Sequence, residues 1–278
     1  MELVQQNPVK LSAHKPVDRD HPLATKIRKQ ITQALSEYDM IKDNDRILVC
    51  VSGGKDSSIL TILLDEIRKR AEINFTIEAI LLDQKQPGFN AVQFKTWIES
   101  EGIMLHIVEK DTYSVVVEKV KNGVFCSLCS KMRRAILYDF AYAQDFQKMA
   151  LGHHRTDIIE TTLLNLFYSG KLATMPVKLL SDDERNVIIR PMMYVDENDL
   201  IELSKAWGFP VIPCNLCGSQ EGLKRKKMKK LIQELQKDIP NLSASFITAL
   251  QNSNPSHLLD QNLYSFKNLE DNRKKTSV

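Results

Sequence analysis

The sequence predicts an α/β protein built on a parallel twisted sheet flanked by helices. Three observations carry that expectation. Apolar runs of strand length recur at Ile47–Val51, Phe75–Leu82, Ile103–Val108 and Lys148–Leu151. Segments with helical spacing separate them, and strands alternating with helices build βαβ units whose sheet is covered on both faces. The first run, Ile47-Leu48-Val49-Cys50-Val51, is continuously apolar, as a strand buried on both sides is.

Taken in order, residues 1–22 are polar, contain Pro8, Pro16 and Pro22, and show no periodicity, so they read as a flexible arm. From Leu23 to Tyr38 the positions Ile27, Ile31, Ala34, Leu35 and Tyr38 recur at helical spacing. Asp43-Asn44-Asp45 turns the chain into the first strand, and Ser52–Ser58 leads from that strand into a helix beginning at Ile59. The second strand ends at Asp83 and is followed by Gln84-Lys85-Gln86-Pro87-Gly88-Phe89. A helix near Ala91–Ser100 precedes the third strand, and a helix over Lys131–Tyr138 precedes the fourth. That strand runs into Gly152-His153-His154-Arg155-Thr156-Asp157 and a further helix. Tyr168–Glu184 is less regular, Val187–Ile189 is a short strand closed by Pro191, and Asp196 caps a helix to Trp207. The chain thus divides into the arm (1–22), the α/β domain (23–220), a basic helical region (221–265) and a disordered tail (266–278).

Composition narrows the class. A hydrophobic content of 43% supports a substantial core. No run approaches the roughly 18 apolar residues of a membrane span, and Met1–Gln6 has no signal-peptide character. The expectation is a cytosolic protein without a membrane partner. The net charge of +3 is too mild to argue for nucleic acid by itself. Its distribution argues more, because six of the seven residues Lys224-Arg225-Lys226-Lys227-Met228-Lys229-Lys230 are basic and suit a polyanion.

The chemistry concentrates at two glycine turns and two cysteine pairs. Ligands of parallel sheets sit beyond the carboxyl ends of the strands, where both turns fall. In Ser52-Gly53-Gly54-Lys55-Asp56-Ser57 the glycines allow close backbone approach to a phosphate. The hydroxyls donate hydrogen bonds, Lys55 supplies charge, and Asp56 can hold Mg²⁺. The spacing is not that of a Walker loop. Asp83, at a strand end, suits a ribose contact or a turn. His153 and His154 suit a nucleotide site, and Asp157 suits a second Mg²⁺ ligand or a helix N-terminal carboxylate. Cys126/Cys129 and Cys214/Cys217 are C-x-x-C pairs, which suit Zn²⁺ or an iron–sulfur cluster and converge only through the fold. Cys50, inside the first strand, reads as a buried hydrophobe.

The loop at 52–57 resembles the SGGKDS loop of the PP-loop ATP-pyrophosphatases, Rossmann-like α/β proteins of the adenine nucleotide α-hydrolase type. With LDQKQPGF (82–89), CSLC (126–129), GHH-x-x-D (152–157) and PCNLCGSQ (213–220) in the same order, residues 23–257 resemble the tRNA 2-thiocytidine synthetases. The resemblance implies a cytosolic homodimer that uses ATP, Mg²⁺ and a [4Fe-4S] cluster to thiolate cytidine 32 of the tRNA anticodon loop, with sulfur from a cysteine desulfurase. Carried over by position, Cys126, Cys129 and Cys217 are the cluster ligands and Cys214 is spare. ATP falls to Ser52, Gly53, Gly54, Lys55, Asp56, Ser57, Asp83, Gly152 and His153. Mg²⁺ falls to Asp56 and Asp157, catalysis to Lys55, Asp56 and Asp157, and tRNA to Lys224, Arg225, Lys226, Lys227, Lys229 and Lys230. Thr156 departs from the acidic residue that family carries there. The competing readings are another PP-loop tRNA-modifying enzyme, of the lysidine or 2-thiouridine type, and a zinc-stabilised RNA-binding protein.

Overall fold

The structure, a computed structural model, describes residues 16–85, 90–119, 125–211, 220–267 and 269–270. Two compact units divide the chain at Ile232/Gln233. In the larger unit the strands are β1 (Arg46–Val51), β2 (Thr76–Asp83), β3 (Leu105–Glu109), β4 (Lys148–Leu151), β5 (Lys178–Leu180) and β6 (Val187–Ile189). The helices are α1 (Pro22–Glu37), α2 (Lys55–Arg70), α3 (Ala91–Ser100), α4 (Thr112–Lys119), α5 (Phe125–Ala143), α6 (Arg155–Ser169) and α7 (Glu197–Trp207). Helix α8 (Gln220–Asp238) begins in this unit.

The six strands lie in the order β3-β2-β1-β4-β6-β5. All neighbours are parallel except β5, which pairs antiparallel with β6. The expected parallel sheet is therefore present, with an antiparallel edge strand inside the stretch read as irregular. From β1 the chain builds outward through β2 to β3, then returns to place β4 on the other side of β1. The topological switch point lies between β1 and β4, whose register pairs Cys50 with Leu151. That crevice is where open α/β sheets bind ligands.

Burial explains why these segments fold as they do. Leu48, Ile80, Met149 and Ile188 from four adjacent strands meet Leu137, Ala141 and Phe146 on one side of the sheet. Helix α2 buries Ile59, Leu60, Ile62, Leu63 and Leu64 completely, each worth about 1.5–3 kcal/mol. Helix α1 starts with Pro22 in the first turn and the His21 ring accepting the Leu23 N–H at 3.2 Å. Asp196 caps α7 as expected, accepting from the Asn198 N–H at 2.8 Å.

The segment 16–21, expected to belong to a flexible arm, is instead packed. Val17 is buried, and Trp207 Nε1 donates to the Asp18 carbonyl at 2.8 Å. The Arg19 guanidinium reaches Glu66 Oε1 at 2.7 Å, Glu101 Oε2 at 2.9 Å and Asp65 Oδ2 at 3.3 Å. Asp65 and Glu66 also meet Arg68, Lys69 and Arg70 of their own helix, so Arg19 adds the bridge from them to buried Glu101, and that bridge holds this polar stretch.

In the smaller unit, helix α9 (Leu242–Gln251) buries Ser243 and Ile247, and Gln236 Nε2 donates to Ser243 Oγ at 2.8 Å. Among the described residues no helix is long and apolar enough to cross a membrane.

Candidate active site

Strand β1 ends at Val51 and α2 begins at Lys55, leaving Ser52-Gly53-Gly54 to make the turn. Gly53 has φ +79°, a left-handed conformation that glycine adopts without penalty. The loop is braced by its own hydroxyls. The Ser52 N–H donates to Ser57 Oγ at 3.2 Å, and Ser58 Oγ donates to the Gly54 carbonyl at 2.9 Å. No side chain caps α2 at Gly54, so the first-turn N–H groups remain for an anion. Lys55 Nζ lies 3.0 Å from Asp56 Oδ1, and that buried oxygen accepts no hydrogen bond of good geometry.

The second glycine turn packs against the first. A Cβ built on Gly152 would come within 2.9 Å of the Ser57 backbone and 3.1 Å of the Asp56 carbonyl carbon. Only glycine lets the β4–α6 turn approach so closely. It brings His153, His154 and Asp157 to the phosphate-type loop. Asp157 Oδ2 accepts the His154 N–H at 3.0 Å, which fixes the start of α6. Burial pulls His153 down to about 4, so its imidazole is neutral near pH 7, and its Nδ1 has no protein partner.

Helix α8 and α7 complete the rim. Arg225 Nη1 lies 3.4 Å from Asp157 Oδ1 and 3.7 Å from Glu160 Oε2. Burial, then the nearby Asp157 charge, pushes Glu160 up to about 7. Lys229 Nζ contacts Glu197 at 2.7 Å, and Glu197 lies 4.0 Å from Lys55 Nζ. Two of the six basic residues expected on RNA therefore face carboxylates of this site.

The cysteine helix reaches the same sheet edge through Gln84, the residue after β2. Gln84 Nε2 donates to Thr112 Oγ1 at 2.9 Å and to Cys129 Sγ at 3.2 Å. Its Oε1 accepts from Arg133 Nη2 at 2.8 Å. Cys129 lies in the N-terminal part of α5. Cys50 is different: burial pushes its thiol up to about 12, with Arg133 pulling the other way. Asp83 Oδ1 accepts the Lys85 N–H at 2.7 Å, so in this structure it closes the turn after β2.

The model of the PP-loop domain family matches residues 23–210. A Bdellovibrio bacteriovorus protein named tRNA-cytidine(32) 2-sulfurtransferase is 61% identical over 254 residues, spanning 91% of this chain and 98% of that one. The chain belongs to the tRNA-cytidine(32) 2-sulfurtransferase family. A second relative with that name, from Tolumonas auensis, is 48% identical over 90% of this chain and 83% of its own. The U34-tRNA thiolase NcsA of Methanococcus maripaludis, solved with its [4Fe-4S] cluster, shares the fold at a TM-score of 0.66. That likeness covers 82% of this chain and 78% of NcsA at 21% identity.

Within this PP-loop frame, the structure gathers Ser52–Ser57, Gly152, His153 and Asp157 at one crevice. Cys214 and Cys217 lie outside the described residues, as do 86–89 of the LDQKQPGF stretch. Among the described residues no three His, Cys, Asp or Glu side chains form a metal site. The donor chemistry still fits a cluster at the α5 end, where Cys129 lies beside a hydrogen-bond donor and the Arg133 charge. Asp56 Oδ1, which already faces the Lys55 ammonium at 3.0 Å, is placed for a cation. Sequence reasoning missed Gln84, Glu160 and Glu197. Gln84 alone carried a signal, a polar amide directly after a buried strand.

Proposed function

We propose that this protein uses ATP to thiolate tRNA, converting cytidine 32 of the anticodon loop to 2-thiocytidine. The observation that carries this reading is Gln84, which ties Cys129 and Arg133 to the sheet edge that also bears the glycine loop. In this reading a nucleotide-activating loop and thiol chemistry lie along one edge of the sheet.

The C2 oxygen of cytosine is a poor leaving group. Its attack on the α-phosphorus of ATP forms a new P–O bond and breaks the bond to the β-phosphate, releasing pyrophosphate. A sulfur nucleophile then adds at C2, and AMP departs with the original oxygen. Lys55, the Ser52 and Ser57 hydroxyls and the loop N–H groups stabilise the departing pyrophosphate. Asp56 and Asp157 are the residues that would hold Mg²⁺, which supplies charge neutralisation at the phosphates. Asp83, Gly152 and His153 border the nucleoside, with neutral His153 able to hydrogen-bond without adding charge. Cys126, Cys129 and Cys217 would hold the [4Fe-4S] cluster, which supplies an open iron position for sulfur when bound. A cysteine desulfurase is the sulfur donor in this reading, and the working form is a cytoplasmic homodimer.

The test is nucleoside mass spectrometry of tRNA after anaerobic reaction with ATP, Mg²⁺ and sulfide. The expected product is 2-thiocytidine, formed only when ATP is present. Its absence from a reaction containing iron-loaded protein refutes the assignment.

A further inference from the structure

Helix α8 does not present its basic run as a single face. Met228 and Ile232, one turn apart, are buried and form its inward stripe. At 100° per residue, Arg225 and Lys229 flank that stripe on one side, where they meet Asp157, Glu160 and Glu197. Lys224 and Lys227 flank it on the other side and are exposed. Lys224 Nζ sits over the Tyr168 ring, 4.5 Å from its centroid.

Tyr168 belongs to a patch at the far end of α6. Leu166, Phe167, Tyr168 and Leu172 are 44%, 57%, 46% and 62% exposed, and Lys171 beside them is exposed as well. Gly170 ends the helix with φ +61°. Two exposed aromatic side chains, consecutive in sequence near a helix terminus and with Lys224 over one face of Tyr168, match one ligand chemistry. Unstacked bases pack on the rings while their phosphates meet the ammonium groups. The positive border argues against a second apolar protein face as the occupant. The patch also stands in a fixed relation to the active site, since Asp157 and Tyr168 share α6 and are separated by about 16 Å of helix (11 residues at 1.5 Å).

We infer that Phe167 and Tyr168, with Lys171, Lys224 and Lys227, form a stacking platform for unpaired bases of the RNA substrate, flanking the nucleotide being modified. The inference rests on the tRNA reading above and adds the surface that holds the loop. Phe167 and Tyr168 grip bases without reading their identity, and the lysines hold the backbone.

The experiment measures fluorescence anisotropy of the full-length protein with a synthetic RNA stem-loop of the anticodon-arm type, and with the same stem as a continuous duplex. Wild type binds the stem-loop in preference to the duplex. Phe167→Ala weakens stem-loop binding about tenfold or more, the scale of one lost base stack, while Phe167→Trp restores it and the melting temperature is unchanged. Lys224→Gln and Lys227→Gln each reduce the slope of log affinity against log salt by about 0.7. Stem-loop affinity unchanged in folded Phe167→Ala overturns the platform and leaves the tRNA reading intact. A shift in monomer–dimer equilibrium without loss of RNA binding also overturns it, marking a protein-contact face. Wild-type protein that binds neither RNA refutes the tRNA reading itself.

Discussion

Replacing Gly152 with alanine tests whether the contact between the two glycine turns builds the nucleotide site. The added Cβ would lie 2.9 Å from both Cα and N of Ser57 and 3.1 Å from the Asp56 carbonyl carbon. Ordinary contact begins at 3.4 Å, so one turn must retreat by about 0.5 Å (3.4 − 2.9). The obstructing atoms are backbone in the first turn of α2, and no rotamer change relieves them. Overpacking of this kind costs ~1–3 kcal/mol, and each kcal/mol lowers Tm by ~2–4 °C in a domain of this size. The displacement falls on Asp56 and Ser57, and errors on the order of 1 Å in reacting groups can cost ~100-fold in rate. Calorimetric titration with ATP and Mg²⁺ is expected to show at least a roughly tenfold loss of affinity, equivalent to ~1.4 kcal/mol. Gly208→Ala is the control. Gly208 has φ +60° with nothing within 4 Å of a Cβ, so alanine there costs left-handed strain without touching the loop. That variant should lose ~1–2 kcal/mol of stability and keep its ATP affinity. If Gly152→Ala behaves the same way, the close approach is a packing detail and does not position the site.

Arg19→Ala cuts the ties from segment 16–21 to Asp65, Glu66 and Glu101 while Arg68, Lys69 and Arg70 still meet the first two, and urea unfolding should show a loss of about 1.5–3 kcal/mol. A loss under about 1 kcal/mol would mean the segment 16–21 is not held by that charge. Glu160 is pushed up to about 7 from 4.5, so between those values the folded protein holds a proton the unfolded chain has lost. Stability therefore falls as pH rises through that window, and Glu160→Gln should remove this component when urea midpoints are compared across it. Equal pH dependence in both proteins would show that Glu160 ionises normally. Cys126→Ala and Cys217→Ala should abolish iron retention after anaerobic purification, while Cys214→Ala keeps some. Iron lost in Cys214→Ala and kept in Cys217→Ala would exchange the two roles.

The elements with local signals were readable from the sequence. The β1 run and its glycine turn are determined by neighbouring residues, and so is the Asp196 cap, because burial and backbone freedom act within a few positions. Strand β5 has no such signal. Its three residues pair with β6 only once the sheet exists, and an isolated Lys178-Leu179-Leu180 has no preference that separates it from a loop. Residues 16–21 misled for the opposite reason. Their polarity suggests solvent, but Arg19 answers carboxylates 46, 47 and 82 positions away, a pairing invisible to any local window.

The basic run shows why charge counting is too coarse for a helix. Six cations in seven residues imply one polyanion surface, yet Met228 in their midst is buried and turns the helix so that its two flanks meet different surroundings. Arg225 and Lys229 offset the charge of Asp157 and Glu197, carboxylates that would otherwise repel an anionic ligand, while Glu160 is pushed toward its protonated form. Lys224 and Lys227 keep their charge for the opposite side. One stretch of α8 therefore borders both the carboxylates at the start of α6 and the aromatic patch at its end. Loss of RNA modification in an Arg225 variant would accordingly report on the nucleotide site, whereas the same loss in a Lys224 variant would report on the RNA surface. ATP affinity separates the two, falling in the first and holding in the second.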